Sequence, residues 1–233
     1  MPRVHCGQNS ARSRSSRRVA WALFAFALLA VSASAGAAGR ARKLAVGDWR
    51  LVERESGKVN YYSVQKAATP PLIHAEYRPP YKTAVMGYQL PDAERASASK
   101  LRWSWRALKL PKAGDECVSK NADSAAVIYV SWRRGLRWYT LKYVWSSVGA
   151  KGAVCDRKRN PFLAQDTVIL QTGGPLNVWK REAIDLKAEF RKHFEDGDAN
   201  ASVPDLLGIG LMSDGDQTQS ESSADYADFV LER

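Results

Sequence analysis

The stretch "LRWSWRA" (residues 101–107) decides the fold class, because apolar and polar residues alternate along it. In an extended chain successive side chains point to opposite faces. Leu101, Trp103 and Trp105 therefore share one face, and the polar residues between them share the other. This alternation predicts a strand with one buried and one hydrated face. A helix would need apolar residues three and four positions apart.

Ten further segments have the length and composition of short strands. Each is rich in β-branched or aromatic residues and is bounded by Gly, Pro, Asp or Ser. They do not alternate with helices, which favours a mainly β chain folded as an antiparallel β-sandwich, jelly-roll or lectin-like, over an α/β fold. The eleven predicted strands are 48–54, 59–65, 72–78, 82–90, 100–108, 125–132, 137–145, 166–172, 177–185, 206–212 and 224–232.

One segment breaks the period of two. In "IDLKAEFRKHF" the apolar residues Leu186, Phe190 and Phe194 are four positions apart, which is the spacing of a helical stripe. Asp185 stands at the position of an N-cap. The sequence therefore predicts one short helix near residues 185–194.

The first 35 residues have the order of a secretory signal peptide. Five arginines precede an apolar run, Val19–Val31, and small residues follow it. Cleavage after Ala35 fits the A-x-A pattern best and leaves residues 36–233 as a single domain; cleavage after Ala37 or Ala38 is the alternative. An uncleaved N-terminal anchor is the alternative, although the run is shorter than the about 20 residues of a membrane span. We therefore expect an exported, periplasmic protein with no transmembrane span after cleavage.

The net charge argues against one class of partner. The chain has 35 basic and 24 acidic residues, a net charge of +11. Removal of the signal peptide takes away five arginines and no acid, which leaves 30 basic residues against 24 acidic ones, or +6. A charge of this size is explained by solubility alone. Together with export, it argues against a nucleic-acid partner.

Two cysteines, Cys117 and Cys155, remain after removal of the signal peptide. An even pair in an exported protein indicates a disulfide. Such a bond would close a loop of about 39 residues and add roughly 3–4 kcal/mol to the stability. Both cysteines lie in polar segments typical of loops, and two free thiols are the alternative. Neither has the His or Lys neighbours of a catalytic cysteine.

A series of motifs resembles a known family. The motifs are a W-x-W strand (residues 103–105), a Y-V-W strand (143–145), a Trp followed by a short helix that ends in Phe (179–194), and a D-x-D-x-T sequence (214–218). Their order and spacing, over roughly Asp48 to Leu231, are similar to the bacterial exported family catalogued as domain of unknown function 3047. The resemblance implies a β-sandwich of the kind seen in carbohydrate-binding and lectin-like domains. It implies no activity.

Aspartates are concentrated in the segment "SDGDQTQSESSADYADF" (residues 213–229). Asp214, Asp216 and Thr218 place oxygen atoms at alternate positions, as calcium-binding loops do. Asp225 or Asp228 would complete the site by folding back towards them, and Asp228 is the predicted fourth ligand. The rest of an EF-hand loop is missing. Turn-forming residues explain the same composition without a ligand. Both interpretations remain open: a calcium site, or a polar connection between the last two strands.

The aromatic and basic strands give the best indication of a ligand. Flat rings stack on sugars, and arginines bind carboxylates or phosphates with two hydrogen bonds. The alternation nevertheless assigns most tryptophans to the core, where large rings pack well. The predicted ligand-binding residues are Trp132, Trp138, Trp145, Arg106 and Arg137.

No catalytic residue is predicted. The chain has no G-x-S-x-G sequence, and only His74 and His193 remain after removal of the signal peptide, too few for a typical zinc site. No compact pair of acids on a strand indicates glycoside hydrolysis. The predicted function is a non-catalytic envelope protein that binds a glycan or another ligand. The alternatives are a glycan or lipid hydrolase in the same fold, and a structural partner in an envelope assembly.

Overall fold

Two β-sheets make up most of the part of the chain that the computed structural model describes, residues 40–52 and 60–233. The predicted signal peptide, residues 1–35, lies outside the described residues. In the described ranges, no helix is long and apolar enough to cross a membrane. The strands are β1 (Arg42–Lys43), β2 (Arg50–Leu51), β3 (Tyr62–Gln65), β4 (Leu72–Tyr77), β5 (Met86–Gln89), β6 (Lys100–Lys109), β7 (Ala126–Arg134), β8 (Arg137–Ser146), β9 (Val154–Arg159), β10 (Leu163–Thr172), β11 (Lys180–Asp185), β12 (Leu206–Met212) and β13 (Ser222–Glu232).

The two sheets contain six and seven strands. The six-stranded sheet has the order β11-β6-β13-β4-β3, and β1 also pairs with β13. The seven-stranded sheet has the order β2-β5-β12-β7-β8-β10-β9. Two α-helices, α1 (Asp92–Arg95) and α2 (Leu186–Phe194), and 3₁₀ turns at Val46–Asp48 and Ser119–Asn121 complete the described elements.

The core lies between the inner faces of the two sheets. Trp103 and Trp105 on β6 are at most 1% exposed, as their alternation with polar residues predicts. Trp103 packs against Tyr143 on the facing sheet, with ring centres 6.0 Å apart, and Trp105 packs against Trp145 at 5.9 Å. Truncation of one buried ring of this size costs about 3–5 kcal/mol. These aromatic pairs hold the two sheets together and confirm the β-sandwich.

Helix α2 confirms the one helix that the sequence predicts. The side chain of Asp185 accepts hydrogen bonds from the backbone N–H groups of Lys187 and Ala188, at 3.0 and 2.8 Å, and so caps the helix. Phe190 is fully buried and packs against Trp132 with ring centres 5.4 Å apart. The apolar stripe of the helix therefore faces the core.

Three details of the fold differ from the prediction. Strands β1 and β9 lie in segments without a clear strand pattern: β1 has only two residues, and β9 carries charged residues at four successive positions, 156–159. Strands β8 and β10 pair in parallel, whereas the other pairs are antiparallel. The parallel pair arises because β9 occupies the edge of the sheet and the chain then returns to place β10 between β9 and β8.

The predicted disulfide is confirmed. Cys117, in the connection between β6 and β7, is bonded to Cys155, with Cα atoms 5.3 Å apart. Cys155 lies on β9 and not in a loop as expected, because the polar sequence around it belongs to a half-exposed edge strand. The bond therefore joins the last strand of the seven-stranded sheet to a segment distant in sequence.

Loss of this bond is expected to destabilise the domain by about 4 kcal/mol, because a loop of this length gains entropy in the unfolded chain. The measurement is urea-induced unfolding of the protein and of a Cys117→Ser, Cys155→Ser double variant. Reduction of the unsubstituted protein should lower the stability by a similar amount. Equal stability of the oxidised protein and the double variant would contradict the expectation.

Candidate ligand-binding groove

An open groove of about 910 Å³ crosses the outer face of the seven-stranded sheet. Its lining comes from β2, β5, β12, β7, β8 and β10, together with the turn before β2 and the end of α1. With about 4.8 Å between neighbouring strands, these six strands extend over about 24 Å. The polar and aromatic residues that line it are Asp48, Arg50, Tyr88, Gln89, Arg95, Tyr129, Ser131, Arg133, Trp138, Thr140 and Gln165.

Two glycines pair with each other in the groove lining. Gly210 on β12 pairs with Gly87 on β5 on one side and with Tyr129 on β7 on the other. A Cβ atom at Gly210 would lie 3.0 Å from a methyl group of Val85 and 3.3 Å from the ring of Tyr129. The side chains of Val85 and Tyr129 therefore pack closely over Gly210, where a larger residue would push them apart.

A row of hydrogen-bonding groups crosses the sheet next to the glycines. Ser131, Thr140 and Gln165 are register neighbours on β7, β8 and β10, and each is partly exposed. Their hydroxyl and amide groups can both donate and accept hydrogen bonds. The hydroxyl oxygens of Ser131 and Thr140 are 3.3 Å apart. The row therefore offers polar contacts to a ligand that lies across the strands.

Trp138 and Tyr129 are two of the three aromatic residues that line the groove. Trp138 is 43% exposed, and the guanidinium of Arg133, its register partner in the β7–β8 hairpin, lies 5.5 Å from its ring centre. Tyr129 lies deeper, and burial raises its pKa to about 12, so its hydroxyl group keeps its proton at neutral pH. The groove thus combines a solvent-facing indole with a protonated phenol.

Of the five predicted ligand-binding residues, only Trp138 lies in the groove. Trp132 and Trp145 are each 1% exposed, which corrects the expectation that they face a ligand. They occupy inner positions of β7 and β8, where Trp132 packs on α2 and Trp145 on Trp105. Alternation alone predicts those inner positions once the facing sheet is known.

The two predicted arginines lie away from the groove lining. Arg106 is on the six-stranded sheet, where it binds Asp225 at 2.6 Å and lies 4.7 Å from the ring centre of Trp179. Arg137 lies over the ring of Tyr139, at 5.2 Å. The arginines that do line the groove are Arg50, Arg95 and Arg133. They come from three distant segments, so the local sequence carried no signal that they would meet.

Carboxylates are scarce in the groove. Among the lining residues in the described ranges, Asp48 is the only acid. Glycoside hydrolysis uses a pair of carboxyl groups about 5–10 Å apart. The described lining therefore lacks the pair that the hydrolase alternative requires.

The aspartates of the C-terminal segment meet a third acid at one end of the sandwich. Carboxylate oxygens of Asp123, Asp214 and Asp216 lie within 4.8 Å of one another; these three residues are called the acidic cluster below. Asp123, which precedes β7, was not among the predicted ligands, because a single acid before an apolar run carries no metal signature. Oxygen atoms in this number and spacing are compatible with a hard cation.

Backbone hydrogen bonds explain part of the acidic cluster without an ion. The carboxylate of Asp123 accepts hydrogen bonds from the N–H groups of Gln217 and Thr218, at 3.2 and 2.6 Å. Asp214 accepts one from the N–H of Ser124 at 2.8 Å. These bonds fasten the β12–β13 connection to the start of β7. The connection is therefore a loop held in place by hydrogen bonds to Asp123 and Asp214. Calcium binding there stays a prediction.

Two of the four predicted metal ligands do not contribute a side-chain oxygen to the acidic cluster. The hydroxyl of Thr218 lies 2.6 Å from that of Ser220, and only its backbone N–H reaches Asp123. Asp228, on β13, contacts Ser104 at 3.2 Å and Lys43 at 3.7 Å. Asp228 does not fold back towards Asp214, because β13 carries it along the six-stranded sheet.

A second polar row crosses the outer face of the six-stranded sheet. His74 on β4, Asp225 on β13 and Arg106 on β6 are register neighbours. The Nδ1 atom of His74 is 2.7 Å from the carboxylate of Asp225, which also accepts two hydrogen bonds from Arg106. The hydrogen bond with Asp225 raises the pKa of His74 above its ordinary value of 6.5. The row ties three strands together on the face opposite the groove.

Comparison with protein families matches residues 48–230 to the family described as protein of unknown function, DUF3047. The chain belongs to this family. The match covers the described sheets from the turn before β2 to β13, and it confirms the family that the order of motifs predicts. Comparison with curated proteins gave no match.

Several solved structures have a similar arrangement of strands. The family 11 carbohydrate-binding module from Clostridium thermocellum, in complex with a β-1,3-1,4-mixed-linked tetrasaccharide, is 12% identical with a TM-score of 0.43, over 84% of this chain and 96% of that one. The xyloglucanase domain of NopAA from Sinorhizobium fredii is 10% identical with a TM-score of 0.43, over 84% and 98%. Endoglucanase 3 of family GH12 from Trichoderma harzianum is 9% identical with a TM-score of 0.37, over 75% and 79%. At these values the likeness concerns the fold alone.

The acidic cluster leads to a prediction about stability and pH. Burial raises the pKa of Asp214 well above its ordinary value of 3.8, so the folded state binds this proton more tightly than the unfolded state. Its ionisation therefore disfavours folding as the pH rises above about 4. In a chelating buffer we expect Asp214→Asn to raise the melting temperature at pH 7 and to change it little at pH 3.5.

The same melting curves test the predicted calcium site. Calcium binding would raise the melting temperature of the unsubstituted protein and not that of the Asp214→Asn variant, because an ion bound only by the folded state stabilises it. A lower melting temperature of the variant in chelator at pH 7 would contradict the pKa argument.

The His74–Asp225 pair leads to a prediction of opposite sign. Because its folded-state pKa is raised above 6.5, His74 contributes stability that is complete below that pH and is lost as the pH rises through the folded-state pKa. The difference in unfolding free energy between the protein and a His74→Gln variant should therefore shrink between pH 6 and pH 9. Urea unfolding at several pH values measures it. A difference that stays constant over this range would rule out the charged pair.

Proposed function

We propose that this chain is an exported envelope protein that binds a glycan in the groove and catalyses no reaction on it. The observation that carries the proposal is the position of Trp138, a solvent-facing indole beside a row of hydroxyl and amide groups. Sugars present apolar C–H faces and hydroxyl edges, and a site for them needs a flat ring together with hydrogen-bonding side chains.

The form of the groove supports an extended ligand. It crosses six strands and is open to solvent. A small enclosed ligand would be surrounded on most sides, as in typical small-molecule pockets. A chain of several sugar units fits an open groove of this length better than a compact molecule does.

The lining supports binding over hydrolysis. Asp48 is the only carboxylate among the described lining residues, and a single acid cannot serve as both acid and base or nucleophile. The hydrolase alternative therefore has less support at this groove. Export to the periplasm rests on the signal-like order of residues 1–35.

The substitution Trp138→Ala tests the proposal. Binding of the mature protein is measured on a glycan array and then by titration with the best polysaccharide. Loss of one stacking ring should weaken binding about tenfold or more. Trp179→Ala is the matched control, because Trp179 is a partly exposed tryptophan beside Arg106 on the other sheet. That variant should bind as the unsubstituted protein does.

Three outcomes would count against the proposal. Absence of binding to every glycan on the array would refute it. Equal losses from Trp138→Ala and Trp179→Ala would remove the groove as the site. Release of reducing ends from a bound polysaccharide would contradict the non-catalytic part.

A further inference from the structure

Three arginines and one acid give the groove a net positive charge. Arg50 lies on β2, Arg95 at the end of α1 and Arg133 near the end of β7, so the three guanidinium groups of the lining come from three separate elements. Asp48 is the one negative side chain of the described lining. A ligand in the groove therefore lies in a positive local field.

Backbone carbonyl groups hold two of these arginines in place. Arg50 donates hydrogen bonds from Nη1 to the carbonyl oxygens of Gly47 and Trp49, at 2.6 and 2.9 Å. Arg133 donates from Nε to the carbonyl of Gly135 at 2.8 Å, and its guanidinium lies against the ring of Trp138. Neutral carbonyls orient a guanidinium without cancelling its charge.

Arg95, on the third element, is held in a similar way. Its Nε donates to the carbonyl of Leu90 at 3.0 Å, and its Nη2 pairs with Asp92 at 2.8 Å. The side chain of Asp92 is 90% exposed, so the pair is weakened by solvent. The positive charge of Arg95 is therefore only weakly compensated by Asp92.

The groove arginines differ from several other arginines in whether they pair with a carboxylate. Within the described residues, neither Arg50 nor Arg133 forms an ion pair with a carboxylate. By contrast, five arginines outside the groove lining pair with acids at 2.6–3.0 Å: Arg42 with Glu94, Arg102 with Glu232, Arg106 with Asp225, Arg134 with Glu195 and Arg159 with Asp166. Among the described residues, Arg50 and Arg133 are therefore oriented positive charges of the groove that have no ion-pair partner.

We infer that the groove takes an acidic glycan, one whose sugar units carry oxyanion groups, rather than a neutral glycan. Guanidinium groups bind carboxylates, phosphates and sulfates through paired, charge-assisted hydrogen bonds. Their anchoring to the backbone lowers the entropy that is lost on binding. In this arrangement Trp138 stacks on a sugar face while Arg50 and Arg133, which lie three strands apart on β2 and β7, hold anionic substituents on different units of the chain. The inference rests on the proposed glycan-binding function.

Two pairs of polymers test it, each pair alike except for charge. Binding of the mature protein is measured by titration with polygalacturonate and its methyl ester, and with dextran sulfate and dextran. Binding of at least one charged polymer should exceed that of its neutral partner about tenfold or more, and the carboxylate and sulfate arms show which oxyanion is preferred. The affinity should also fall as the salt concentration rises from 50 to 300 mM, because salt screens these charges.

A pair of double variants separates the groove from general attraction. Arg50→Gln with Arg133→Gln removes two groove charges and should lower the affinity for the charged polymer at least about tenfold. Arg157→Gln with Arg181→Gln removes the same charge from exposed positions on β9 and β11, outside the groove lining, and should change it less than twofold. Melting curves confirm that both variants are folded.

The outcomes distinguish this inference from the proposed function. Equal binding of charged and neutral polymers, with loss of both on Trp138→Ala, would overturn the acidic preference and leave glycan binding in place. Equal losses from the two double variants would also overturn it, because the attraction would then belong to the whole surface. Failure of every glycan, charged or neutral, would refute the proposed function itself.

Discussion

The packing of Trp103 and Trp105 against Tyr143 and Trp145 is the interaction on which the rest of the structure depends. These four rings close the space between the two sheets, at ring-centre distances of about 6 Å. Because side chains alternate along a strand, a shift of one residue in either strand would move the rings to solvent and the outer residues into the core. Burial of the rings therefore fixes the register of β6 and β8, and with it the residues on both outer faces.

The groove is a consequence of that register. With Tyr139, Leu141 and Tyr143 directed inward, Trp138 and Thr140 on the same strand face outward. The neighbouring strands repeat this arrangement, so polar and aromatic side chains collect on one outer face. The opposite outer face carries ion pairs such as His74 with Asp225, which bind strand to strand. Among the described residues, Arg50 and Arg133 at the groove differ from this row in that their hydrogen-bond partners are neutral backbone carbonyls.

Much of the fold could be predicted because its signals are local. Alternation identified the inner face of β6, a spacing of four identified α2, and an even pair of cysteines identified the disulfide. Strand β9 was missed because its sequence is charged at successive positions, which an exposed edge strand tolerates. Strands β8 and β10 pair in parallel because the chain passes through β9 between them. The residues of β8 and β10 do not indicate that path.

The candidate sites were predicted less well, because their residues meet only in the folded chain. Trp132, Trp145 and Trp138 all lie in strands that carry aromatic and basic residues. Trp132 and Trp145 nevertheless fill the core, whereas Trp138 lines the groove. Asp214 and Asp216 are neighbours in sequence, but their third partner, Asp123, lies about ninety residues away.

The sequence by itself determined which residues of most strands share a face, where helix α2 begins and ends, and which family the chain belongs to. The first two properties depend on periodicity within a short segment, and the family depends on the order of motifs along the chain. Only the tertiary structure decided that Arg50, Arg95 and Arg133 line one groove and that Asp123 joins Asp214. The physical reason is that strand order and sheet pairing depend on contacts between distant segments. The free energy of these contacts is distributed over the whole core, so no single segment of the sequence predicts them.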